Sequence, residues 1–585
     1  MAGNQASASG PADSQAAGQA DEQIARGAAL RPIDEVAGEI DLLPDEIESH
    51  GRSVAKVSVS AADRLADRPN GRYVHVTSMT PLPTWEDPAT TAIALADALQ
   101  ALGKRSACCL QQPSLGTVLA GEQIGAGSGR FQIVPRDRFG LHLTGDLHAV
   151  TSAHALLSSA TDAMLVRAGP EGLDTRRVVW RRCQEVIDTA LRQTVVGLGG
   201  GGVPRESGFD LTPNSEVMAV LTLSSSLADL RERLGRIVVG YSHHDLPVFA
   251  NSLKVDGAMA ALLRDALRPN LMQTLAGTPV FVHGSTAIEL SHGGGSVLSD
   301  QIALRCCDYV VTTSAGGAEL GLEKFCDIKC RASGLAPDAV VLIATVRAVK
   351  FHSGRYRSPD DPRLAEASVQ AVREGAANVA KHLENIRYFG LPCVVMIARS
   401  DADTDEELEV LSSVASVSGA SAVVIGGYGE ATTGDGNERG ETDTSELARA
   451  VTAACEEGAT KFSYLYEATW PIAKKIETIA TTLYNAGRVE YSARASAAME
   501  RYTQLGWQNL SLCMAKTVHS LSHDPDLLGR PYDFVLPVED VRVAAGAGFL
   551  IVQLGRVQPM PAPARRIRAA AMDLTEDAEV GGLFD

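Results

Sequence analysis

The polar residues best spaced for acid–base chemistry lie in LHLTGDLHA, where Asp146 stands two residues before His148 and four after His142. A carboxylate beside an imidazole tunes its proton affinity for general acid or base work, which makes these three the catalytic candidates. The same spacing reads equally as a satisfied buried pair that orients a turn, and both readings stand. Cys326 and Cys330 in FCDIKC are closely spaced, but a metal centre needs further ligands, and the ten cysteines include no CxxC pair. Buried reduced thiols and no metal are therefore expected. The glycine run at 199–202 lacks the lysine that a phosphate loop uses, and the basic stretch APARRIRAA near the C-terminus reads as a solvated face.

The elements that must position these residues are those of an α/β protein. Short β-branched runs such as YVHVTSM, AVVLIATV and CVVMIA each lead into a turn and a helical stretch, as buried parallel strands do. Helical periodicity is clear in TTAIALADALQALGKR and LADLRERLGRIV, and the alternation predicts a doubly wound parallel sheet with additional α/β domains. Residues 1–44, rich in Ala, Gly and acidic residues, read as a disordered tail. The nucleotide-type domain is expected over 45–155 and about 300–372, a second α/β domain over 156–299, and a third over 373–585. The glycine-rich, charged stretch 426–446 within the third reads as a mobile loop.

A formal charge of −18 over 585 residues argues against a nucleic-acid surface or an anionic membrane surface, because both need a positive field. No apolar run reaches the roughly 20 residues of a membrane span, and the N-terminus has no secretory pattern, so a cytoplasmic location is expected.

Longer blocks carry a resemblance: PSLGTVL, GVPRESGFDLTPNSEVMAVL, RERLGRIVVGYS, ALRPNLMQTLAGTPVFVHG, GLEKFCDIKCR, LSLCMAKTVHSLSHDPDLLGRP and VRVAAGAGFLIVQLG, in chain order. In order and spacing the chain resembles formate-tetrahydrofolate ligase over about residues 70–570. The resemblance implies a fold like that of P-loop NTPases, with ATP, Mg and tetrahydrofolate as ligands. ATP would phosphorylate formate, and the formyl phosphate would then formylate N10 of tetrahydrofolate.

The family's phosphate loop, TPxPAGEGK followed by hydroxyl residues, reads here as TPLPTWEDPATT, so Trp85, Glu86, Asp87, Pro88, Ala89, Thr90 and Thr91 occupy its later positions. Trp85 and Asp87 stand for glycines, Pro88 for the lysine, and Ala89 for a hydroxyl residue. Steric fill, a negative charge and a lost N–H donor all act against a polyanion. The arginine that grips formyl phosphate is Gln111, and the aromatics that stack on folate are Gly316, Ser400 and Tyr428, of which only the last is aromatic. Thr286, Ala287 and Glu289 alter a further loop, and Arg130 replaces a tyrosine, whereas His142, Asp146, His148, Arg205, Glu216, Lys324, Arg347 and Lys350 persist. Coordinated change in three subsites leads to the expectation of a ligase-dead relative with a structural or regulatory role, possessing a protein partner. An active ATP-dependent ligase and a repurposed, ATP-independent enzyme acting on a formyl-folate or other small molecule are the alternatives. By resemblance the chain forms a homo-oligomer, a tetramer.

Overall fold

The computed structural model describes residues 21–82, 88–121, 125–167, 172–427, 434–457, 461–555, 560, 567–574 and 580–583. Its centre is a twelve-stranded sheet. In chain order the strands are β1 (Ile47–Ser49), β2 (Ala55–Val57), β3 (Arg72–Ser78), β4 (Ser106–Leu110), β5 (Gly127–Ser128), β6 (Phe131–Val134), β7 (Asn270–Thr274), β8 (Pro279–Val282), β9 (Tyr309–Gly317), β10 (Ala339–Thr345), β11 (Cys393–Ala398) and β12 (Ala422–Gly426). They lie in the order β1-β2-β7-β8-β4-β9-β3-β10-β11-β12, with β6 also pairing with β7 and β5 pairing with β6. From β8 to β12 every pairing is parallel.

Alternation along the strands divides the core between the two sheet faces, because successive side chains point to opposite sides. Val74, Val76, Cys108, Val311, Val341 and Val394 pack with the helices α2 (Pro88–Ala101) and Gly434–Glu457. Tyr73, Cys109, Val310, Leu342 and Val395 pack with helices Val297–Cys306, Ala377–Tyr388 and Asp405–Val417 on the other side. This is the mixed α/β, mostly parallel and doubly wound architecture that the strand runs predict.

Three sequence expectations are corrected. The tail reading to residue 44 fails from Ile33 onward: helix α1 (Ile33–Glu39) buries Ile33, Val36 and Ala37, and Ile40 and Leu42 follow them into the core. Those apolar residues sit at helical spacing, a signal that the Ala- and Gly-rich composition of the preceding residues masked. Residues 1–20 lie outside the described residues. The stretch read as a loop at 426–446 contains the start of the helix Gly434–Glu457, whose later residues Leu447, Ala448, Val451 and Cys455 anchor it to the sheet. Finally, the central sheet takes β7, β8, β11 and β12 from residues that the division by sequence assigned to the second and third units.

Candidate functional site

Parallel strands present their carboxyl ends along one edge of a sheet, where side chains from segments distant in sequence converge. Thr80 follows β3, Gln111 follows β4, Gly316 lies at the end of β9 and Ser400 follows β11, so the structure brings these positions to one edge. Tyr428 follows β12 but lies outside the described residues, as do Trp85, Glu86 and Asp87.

The entry to the phosphate-loop position is fixed by a buried polar network. Thr80 is fully buried; its N–H donates to Asn378 Oδ1 (3.2 Å), and its hydroxyl accepts from Asn378 Nδ2 (2.9 Å) and meets His382 Nε2 (3.0 Å). His352 Nε2 donates to the Thr80 carbonyl (2.9 Å) and its Nδ1 accepts the Gly529 N–H (3.2 Å). Behind His382, Nδ1 faces Glu319 Oε2 at 3.6 Å, and Glu319 pairs with Lys516 at 2.9 Å. Burial pushes His352 and His382 down to about 4, so both are neutral. Burial alone would raise Glu319, but the Lys516 ammonium outweighs it and holds the carboxyl below its usual range. None of these residues stood out in the sequence, since their partners come together only in the fold.

Past the loop, Pro88 begins α2, with Ala89, Thr90 and Thr91 buried in its first turn. The Thr90 hydroxyl lies 3.3 Å from the Ser128 hydroxyl. A proline here supplies neither a cation nor an N–H, so the described part of this turn is a poor seat for phosphate. Gln111 is equally engaged: its amide donates to Thr286 Oγ1 at 2.9 Å and to the Gly294 carbonyl. Gln111 and Thr286 therefore satisfy each other. At the described positions Pro88 and Gln111 supply neither a lysine nor an arginine for a phosphate.

On the folate side, Gly316 has φ +83° and a Cβ there would lie 3.3 Å from Val518 Cγ1. Ser400 is exposed, donating its N–H to Asp403 at 2.8 Å. The neighbouring open groove of ≈ 580 Å³ is lined by Arg399, Asp405, Leu408, Glu409, Ser412, Ser413 and Ile425, none of them an aromatic that could stack on a pterin.

The acid–base pairing of Asp146 with His148 is overturned. Asp146 is buried and accepts from Lys56 Nζ at 2.6 and 2.7 Å and from Asn270 Nδ2 at 2.8 Å. His142 and His148 are exposed. Two residues apart on the helix Asp146–Arg167, Asp146 and His148 point to different sides of it. Several other retained residues make structural contacts: Arg205 with Asp162, Lys350 with Glu407 at 2.7 Å, and Glu216 with the N–H groups of Gly546 (2.7 Å) and Ala547 (3.3 Å).

Comparison with known proteins gives a consistent result. A family model described as "Formate--tetrahydrofolate ligase" matches residues 19–584. Relatives of that name include one from Roseiflexus castenholzii, 46% identical over 571 residues, which span 97% of this chain and 100% of the relative. Another from Saccharopolyspora erythraea is 44% identical over 569 residues, covering 96% and 99%. A third from Paracoccus denitrificans is 44% identical over 568 residues, covering 97% and 100%.

Proposed function

The chain belongs to the formate-tetrahydrofolate ligase family, and on that premise we propose that it keeps the family fold in folate one-carbon metabolism but has lost ATP-dependent ligation, serving a structural or regulatory role. The observation that carries this reading is Gln111. Its neutral amide is held by Thr286 and Gly294 where a guanidinium would grip formyl phosphate. Replacing a bidentate, charge-assisted contact by a satisfied amide removes the favourable term without leaving a donor to reach the ligand. Pro88 at the start of α2 adds the loss of the lysine and of an N–H donor. Together with Asp87, these changes cost phosphate binding on the order of several kcal/mol.

ATP, when bound in this family, supplies the phosphoryl group that activates formate; Pro88 and Gln111 would offer it neither a lysine nor an arginine. Identity of 46% along the whole length favours a second reading, an active ligase. Titration calorimetry with ATP-magnesium, beside an assay for ADP formed only with formate and tetrahydrofolate, separates the two. No heat and no ADP are expected; formate- and folate-dependent ADP release would overturn the proposal. A homo-oligomeric assembly is part of the same reading, checked by light scattering.

A further inference from the structure

The two margins of the twelve-stranded sheet differ in kind. β1, at one end, is three residues long and carries Glu48, which pairs with Arg268 at 2.7 Å. A short, charged strand is one way in which a sheet edge discourages further pairing. β12, at the other end, reads AVVIG, with no charge, no proline and an unbroken register against β11. Its residues Ala422, Val423 and Ile425 are half-buried. Because β12 is paired on one side only, alternate residues turn their N–H and C=O groups to the open side. Among the described residues, no backbone group from outside the sheet bonds to Ala422, Val423, Val424 or Ile425.

Beside this edge the surface is shaped. On the helix Asp405–Val417, Asp405, Leu408, Glu409, Ser412 and Ser413 recur at three- and four-residue spacing and so lie on one face. Together with Ile425 of β12 they line the open groove of ≈ 580 Å³, so a strand added to β12 would lay alternate side chains towards it. Leu408 and Ile425 are its apolar part. Asp405 is paired with Arg399 at 3.1 Å, whereas Glu409 is exposed and its side chain has neither an ion pair nor a hydrogen bond among the described residues. One carboxylate of the groove is therefore left unbalanced.

We propose that β12 is a docking edge for an extended segment of another protein, added to the sheet as a further strand, with an apolar residue against Leu408 and Ile425 and a lysine or arginine beside Glu409. In such strand addition the backbone hydrogen bonds supply affinity and the groove supplies selectivity. A second copy of the chain fits less well. Pairing through the same edge would set two Asp405–Val417 helices side by side, each bringing its unbalanced Glu409, and the chain as a whole carries −18. The edge gives a structural or regulatory role a surface but does not depend on the loss of ligation, since β12 lies five strand positions from β4.

Fluorescence anisotropy of the full-length protein with a labelled Lys-Val-Thr-Val-Thr-Val-Lys peptide tests the edge, with no nucleotide present, so that its outcome is separate from that of the ATP titration. Saturable binding is expected, roughly fivefold tighter than for the same peptide with glutamate in place of lysine, and lost when the peptide's backbone N–H groups are methylated. Ser413→Trp, at an exposed helix position that lines the groove, should abolish binding, and Glu409→Lys should reverse the preference towards the glutamate peptide. No saturable binding, equal binding of the methylated peptide, an unchanged preference in Glu409→Lys, or a folded Ser413→Trp protein that binds as the parent does would each overturn the proposal. So would a smaller assembly of Ser413→Trp than of the parent in light scattering, which would assign the edge to a second copy.

Discussion

Asn378 grips Thr80 twice, accepting its N–H at 3.2 Å and donating to its hydroxyl at 2.9 Å, and the same amide reaches the Gly529 carbonyl at 2.7 Å. One buried side chain thus ties the end of β3 to the C-terminal part of the chain. Asn378→Ala leaves a buried donor and acceptor on Thr80 and a carbonyl on Gly529 with a partner lost. Chemical denaturation should show a loss of roughly 2–4 kcal/mol, and an unchanged midpoint would contradict the network.

Restoring the family loop through Trp85→Gly, Asp87→Gly and Pro88→Lys, together with Gln111→Arg, should return nucleotide affinity. At ATP-magnesium 100 times above the dissociation constant, linkage predicts a stabilisation of about 2.7 kcal/mol. A thermal shift appears only in the restored protein if the loop is the defect; equal shifts in both proteins would show that the parent binds nucleotide.

Lys56 and Asp146 are a buried ion pair, so removing one partner strands the other. Lys56→Met should destabilise by about 3–5 kcal/mol, while the double change Lys56→Met with Asp146→Leu should cost less than the single one. A double-mutant cycle showing no coupling would return Asp146 to the list of catalytic candidates.

Glu216 gives a pH test whose sign is fixed. Burial raises its carboxyl to about 7 despite the N–H groups of Gly546 and Ala547. The folded value lies above the unfolded one, so between about pH 4.5 and 7 the folded state holds a proton that the unfolded state has lost, and stability falls as pH rises. Glu216→Gln keeps an acceptor without the charge and should gain on the parent by about 3 kcal/mol across that window. Parallel stability curves for the two proteins would refute the assignment.

Ile33, on α1, tests the corrected N-terminal boundary. It is 1% exposed, and Ile33→Ala should cost about 2–5 kcal/mol through lost burial and a residual cavity. A cost near zero, measured by urea unfolding, would restore the reading of this region as a tail.

Strand runs such as AVVLIATV and CVVMIA determined the class of fold, since parallel strands covered on both faces must be apolar on both faces. The residue types at Pro88, Gln111, Gly316 and Ser400 were equally legible, because a residue's charge, ring or missing N–H belongs to its type and needs no coordinates. Pairing was not legible. The sequence placed Asp146 next to His148, but helix geometry turns them apart and the fold offers Asp146 a lysine ninety positions earlier in the chain. Thr80 with Asn378 and Gln111 with Thr286 are likewise decided by which strand ends and sheet faces meet. Side-chain identity is local, whereas a partner is set by long-range packing, and only the tertiary structure could choose it.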